Sequence, residues 1–211
     1  MDIKEKANYI VDELEREYPD ATCSLVYDKP HELLISTRLA AQCTDARVNI
    51  VTKDLFQKYK SINDFADAEL SDVEEIIKSC GLYKTKAKDI INMCIKLRDE
   101  FNCILPDTME ELTSLPGIGR KTANLVLGDI FKKEAVVVDT HCIRITNLLG
   151  LSQGKNPLSV EKQLREVLPM KKASDFCHRI VIHGRAVCVA RRPDCKNCCI
   201  NKYCNYFLDN K

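Results

Sequence analysis

No apolar run in these 211 residues is long enough to cross a bilayer, which excludes an integral helical membrane protein. The acidic N-terminal segment lacks the order of a secretory leader. Both absences point to the cytosol. No pair of strand-like segments, internal repeat or low-complexity tract is present. Net charge is nearly absent too, at +1. What remains is an all-α chain, 45% apolar and 30% charged, of ordinary soluble globular composition. It is long enough to bury a core as one domain or as two small interlocked ones.

The small net charge hides an asymmetry. Residues 171–211 hold nine Lys/Arg against three Asp/Glu, and the other 170 hold 23 against 28. A basic segment beside an acidic remainder suits a one-sided anionic partner, nucleic acid first. Charge alone is also what a solvated face would show.

Helical periodicity marks residues 3–18, a buried helix over 31–43, and a helix to about 59 capped by Thr44 or Asp45. Two shorter helices follow over 61–65 and 71–80, the second with Ser71 and Glu74 spaced as a capping box. After the Gly81 turn, Ala87, Ile90, Cys94 and Leu97 mark the buried face of a long helix. Lys84, Lys86, Lys88, Lys96 and Arg98 mark its outer face. Residues 135–138 read as a buried connector, and the last three helices cover 140–149, 159–168 and 173–187.

Leu115-Pro116-Gly117-Ile118-Gly119-Arg120-Lys121-Thr122-Ala123 lies between helical patterns over 107–114 and 122–131. Gly117 and Gly119 can take the angles a reversal needs, and without Cβ atoms they leave their amides open to a phosphate. The alternative is a plain glycine-capped connection. Lys121 stands at the positive end of a helix, where a further positive charge is disfavoured, and an amine without its proton is a nucleophile. Asp139 precedes a helix as its N-cap, and a rigidly placed carboxylate near a sugar could stabilise positive charge developing there.

Seven of the twelve cysteines are scattered through or near helical patterns, as small buried residues. Cys188, Cys195, Cys198 and Cys204 form C-x6-C-x2-C-x5-C, too polar a loop to fold without something at its centre. Zinc and a [4Fe–4S] cluster both fit, whereas disulfides do not suit a reducing compartment. Cys199 reads as a spare thiol. Arg191, Arg192, Lys196 and Lys202 decorate the loop as a second phosphate-contacting surface.

Residues 115–123, Val138-Asp139-Thr140-His141 and the four-cysteine loop together resemble endonuclease III, the family of bifunctional DNA glycosylases in the helix–hairpin–helix superfamily. The likeness runs from His31 through Cys204. It implies two helical domains with DNA in the cleft between them. One is a six-helix barrel over 22–133 ending in the hairpin, and the other joins 1–21 to 134–211 and carries a [4Fe–4S] cluster. It further implies a monomeric, cytoplasmic, nucleoid-associated enzyme acting on oxidised pyrimidines or abasic sites in double-stranded DNA. Lys121 matches the nucleophile and Asp139 the carboxylate assisting it. Gln42 matches the residue filling the gap left by an extruded base, and Leu82 the wedge on the opposite strand. By themselves, Gln42 reads as a helix-end polar residue and Leu82 as a core contact. Gly117, Gly119, Arg120 and Thr122, with Arg191 and Arg192, would meet the DNA backbone. Two positions depart from the family: Arg38 interrupts an apolar helix, where it would pair with a carboxylate or line the cleft, and Asp194 falls where the loop is often basic. Adenine mismatch glycosylases share these motifs but lack the lysine and usually extend further. A non-catalytic DNA-binding module gives no reason for Lys121 and Asp139 to occur together.

Overall fold

The computed structural model describes residues 1–210, and every regular element among them is helical. The chain divides into two compact units, Ser24–Phe131 and a discontinuous one made of Met1–Cys23 with Lys132–Lys211.

The continuous unit is built on α2 (Pro30–Leu39), which buries every residue except Pro30 and Arg38. The Glu32 carboxylate accepts the amides of Asp28 and Lys29 and fixes the helix start. α2 stops at Leu39, short of the expected Cys43. The Cys43 amide bonds to Ala40 O, and Leu39 O accepts instead from the Lys86 ammonium, so the ladder ends there. Thr44 caps α3 (Asp45–Lys58) through the Arg47 amide.

Ser61 and Asp64 form a reciprocal capping box on α4 (Ile62–Ala66). The box expected at Ser71 and Glu74 does not form. Glu69 O already accepts the Asp72 and Val73 amides, so α5 (Leu70–Ile77) begins before Ser71. α6 (Tyr83–Phe101) packs on α4 and α5 and stops at left-handed Asn102. α7 (Met109–Thr113) is capped by Thr108, later than the expected start at 107, and α8 (Arg120–Asp129) lies against both α7 and α2.

In the discontinuous unit, α1 (Ile3–Glu17) buries Ala7, Ile10, Val11 and Leu14. Its partners are α10 (Pro157–Val167) and α11 (Ala173–Ala186). Lys172 ties its polar edge down, with Nζ 2.9 Å from Asp12 and 2.7 Å from Glu15. Ala135 to Val138 are all buried and non-regular, the expected connector. α9 (Thr140–Leu149) packs on α11, and Gly184 makes the approach possible: a Cβ there would sit 2.6 Å from His141 Cδ2. The four-cysteine loop follows α11 and leads into α12 (Asn205–Asp209). No helix among the described residues is long and apolar enough to cross a membrane.

Candidate active site

The hairpin turn joins α7 to α8. Leu115 and Ile118 point into the core and are linked by the Ile118 amide on Leu115 O at 3.1 Å. Gly117 sits at φ +75, where a side chain is strained. A Cβ on it would also meet Arg38 Nε at 2.6 Å and Cδ at 2.7 Å. Its missing side chain thus makes room for Arg38, which donates from Nε to Asp89 Oδ2 at 2.8 Å. Gly119 differs from expectation, because its φ of −106 is open to any residue and a Cβ there would meet nothing within 4 Å.

Gly119 caps α8 without a side chain, and the first turn holds no acidic residue. Its Arg120 and Lys121 are exposed and Thr122 is half-buried. A helix start with two adjacent cations suits a phosphate.

Gln42 and Leu82 lie in turns, both exposed and both in the left-handed region although neither is glycine, at φ 55 and 47. Leu82 is 58% exposed, so it is not a core contact.

Asp139 caps α9. Its Oδ1 accepts the Cys142 amide at 2.7 Å, and its Oδ2 lies 3.5 Å from His141 Nδ1. One carboxylate oxygen holds the cap, and the other lies beside His141.

The four loop cysteines line one pocket, together with Ile145, Leu149, Ile200 and Phe207. Arg144 reaches Cys188 Sγ at 3.5 Å. Burial pushes the Cys198 thiol up to about 12 and raises Cys195 and Cys204. His183 bridges Tyr18 (3.1 Å) and Cys198 (3.5 Å), and burial, then Arg144, lower its pKa to about 4. Arg191 and Arg192 are exposed on the loop, Arg191 at φ 70. Cys199 is half-buried.

A sequence profile of HhH-GPD superfamily base excision DNA repair proteins matches residues 35–170. The endonuclease III of Synechocystis sp. is 45% identical over 95% of this chain and 92% of its own. The chain belongs to the endonuclease III family. The family member from Bacillus subtilis is 40% identical over 93% of this chain and 90% of its own. A solved endonuclease III, trapped as a covalent intermediate with DNA, superposes with a TM-score of 0.91 at 41% identity, covering 100% and 99% of the two chains. A thermostable thymine-DNA glycosylase, 22% identical, shares the fold at a TM-score of 0.88. As a member of the endonuclease III family the chain is a base-excision repair enzyme, a DNA glycosylase and abasic-site lyase.

Two residues of this endonuclease III relative lie where periodicity does not put them. Lys86, assigned to the outer face of α6, is fully buried. Arg38 is mostly buried against Asp89 and supports the hairpin turn. Asp89 lies 51 residues from Arg38, and of the two carbonyls on Lys86 that of Leu39 lies 47 residues away and that of Cys80 six.

Proposed function

We propose that the chain excises oxidised pyrimidines from double-stranded DNA and cuts the strand at the resulting abasic site, working as a monomer in a nucleoid-bearing cytoplasm. One observation carries the reading: an exposed amine, Lys121, in the first turn of a helix whose N-terminus has no side-chain cap. There the backbone amides of the turn after Gly117 and Gly119, with Arg120 and Thr122, hold a phosphate while the amine meets the adjoining sugar.

The lone pair of Lys121 Nζ forms a bond to C1′ as the bond from C1′ to the base breaks, and the base leaves with that electron pair and takes up a proton. Opening of the sugar ring gives an imine between C1′ and Nζ. The imine acidifies the hydrogen on C2′, whose loss expels the 3′ phosphate by β-elimination. Water then frees the lysine. Water alone could release the base but would leave no covalent link through which to eliminate. Asp139 assists the attack and stabilises positive charge on the sugar, a role the rigid hold of its cap supports. Leu82 enters the stack as an apolar wedge and Gln42 fills the vacated space. Arg191 and Arg192 meet the backbone phosphates from the cysteine loop.

Cys188, Cys195, Cys198 and Cys204 would hold a [4Fe–4S] cluster. The donor set fits: four thiols ring one pocket with a guanidinium close by. The group would supply a rigid cross-link in place of the core this loop lacks.

Borohydride tests the reading by reducing the imine to a stable amine. Duplex DNA with an oxidised pyrimidine should yield a covalent adduct that Lys121→Gln abolishes. Binding without an adduct would favour a non-catalytic module.

A further inference from the structure

Lys86 is the one residue of the basic face of α6 that is 0% exposed. A buried ammonium needs partners, and its two are backbone carbonyls: Leu39 O at 2.8 Å and Cys80 O at 2.7 Å. Leu39 is the last residue of α2, and Cys80 closes the short 3-10 turn Lys78–Cys80. Helix ends leave such carbonyls without amide partners and carry partial negative charge, so one cation satisfies two of them. Gln42 follows the first carbonyl by three residues, and Leu82 the second by two. Both are the left-handed, exposed residues described above. A non-glycine held in that conformation persists only where its surroundings over-determine it. The Lys86 amide also bonds to Leu82 O at 3.0 Å, so the same residue holds the Leu82 turn by its backbone.

We propose that Lys86 is a positioning residue that fastens the turn carrying Gln42 to the turn carrying Leu82, and so governs opening of the base pair rather than the chemistry of the amine. This rests on the roles assigned to Gln42 and Leu82 above. With both carbonyls on one nitrogen and only two or three residues beyond each, the spacing between wedge and gap-filler is set by a single side chain. Loss of the ammonium leaves two buried carbonyls unpaired and lets the turns separate.

The test divides duplex from single strand, because a base already out of the stack needs neither wedge nor filler. Trapping by borohydride on single-stranded abasic DNA counts the molecules with intact amine chemistry. Base release from a duplex carrying an oxidised pyrimidine is then expressed per trapped molecule. In Lys86→Met, single-strand trapping should stay within about two-fold of the parent chain and duplex release should fall at least ten-fold. Adding Leu82→Ala to Lys86→Met should then cost little more, although alone it costs much. If Lys86→Met leaves no trappable protein, Lys86→Gln, which keeps a neutral donor, is judged by the same criteria. Equal loss on both substrates, loss on neither, full additivity with Leu82→Ala, or failure of both variants to trap would overturn the proposal. A parent chain that traps on no abasic DNA overturns the functional reading itself, and this appears before any variant is made.

Discussion

Gly117 and Gly119 look equivalent along the chain, yet their surroundings separate them. Gly117→Ala must hold a left-handed alanine, which costs about 1–2 kcal/mol, and must push aside Arg38, 2.6 Å from the new methyl. A urea titration should show it clearly less stable than the parent. Gly119→Ala enters open space at an ordinary φ and should unfold within about 0.5 kcal/mol of the parent. A fall in its DNA affinity would therefore report a phosphate at that spot. His31 supplies a pH test. Its Nε2 is buried without a partner, and burial lowers its pKa below the ordinary 6.5. Folded His31 stays neutral where the unfolded chain binds a proton, so stability falls as pH drops through about 6.5 and is unaffected above it. His31→Gln should reduce the loss between pH 7 and 5, leaving the part that comes from buried His183. At this scale the sequence shows the hairpin glycines and the lysine beside them, because local spacing carries them. It does not show the burial of Lys86 or the exposure of Leu82. Charge on a helix predicts water unless distant carbonyls or carboxylates intervene, and Leu82 in sequence is merely apolar.

Among elements, α9 offers a way to separate structure from chemistry. Asn caps a helix about as well as Asp, whereas Ala forfeits roughly 1 kcal/mol. Asp139→Asn should therefore melt close to the parent and Asp139→Ala below it, while base release is expected to fall at least ten-fold in both. Equal activity of the Asn variant would remove the carboxylate from the mechanism. The cysteine loop makes a second case. Burial raises the Cys195, Cys198 and Cys204 thiols, so loading iron would have to release their protons. Cys198→Ser with Cys204→Ser should lose iron and sulfide on analysis and lower the melting temperature. Helix positions were legible in the apolar stripes, but capping depends on which carbonyl is taken first. Ser61 with Asp64 forms the box, and Ser71 with Glu74, equally spaced, falls inside a helix already begun.

For the molecule as a whole, the basic segment over 171–211 should appear in salt dependence. Arg191→Ala and Arg192→Ala should each reduce the slope of log affinity against log salt by about 1, if each meets a phosphate. Their effect should be alike on damaged and undamaged duplexes, since phosphates carry no sequence or lesion information. Fluorescence anisotropy across a salt series reads this out. The opposed charge of the two parts was visible in composition; which arginines stand free of the core was not.

The stripe of Ala7, Ile10, Val11 and Leu14 on α1 finds its cover on α10 and α11, some 150 residues later. On the ribosome this first helix emerges early and waits. At ~5–20 residues per second, translation needs on the order of ten to thirty seconds to deliver its partner. Ser24–Phe131 can collapse in the meantime, but a nascent chain halted before residue 173 carries an oily ridge at its leading end. Premature stops that fall before codon 173 should thus yield chaperone clients and aggregates instead of a half-working enzyme.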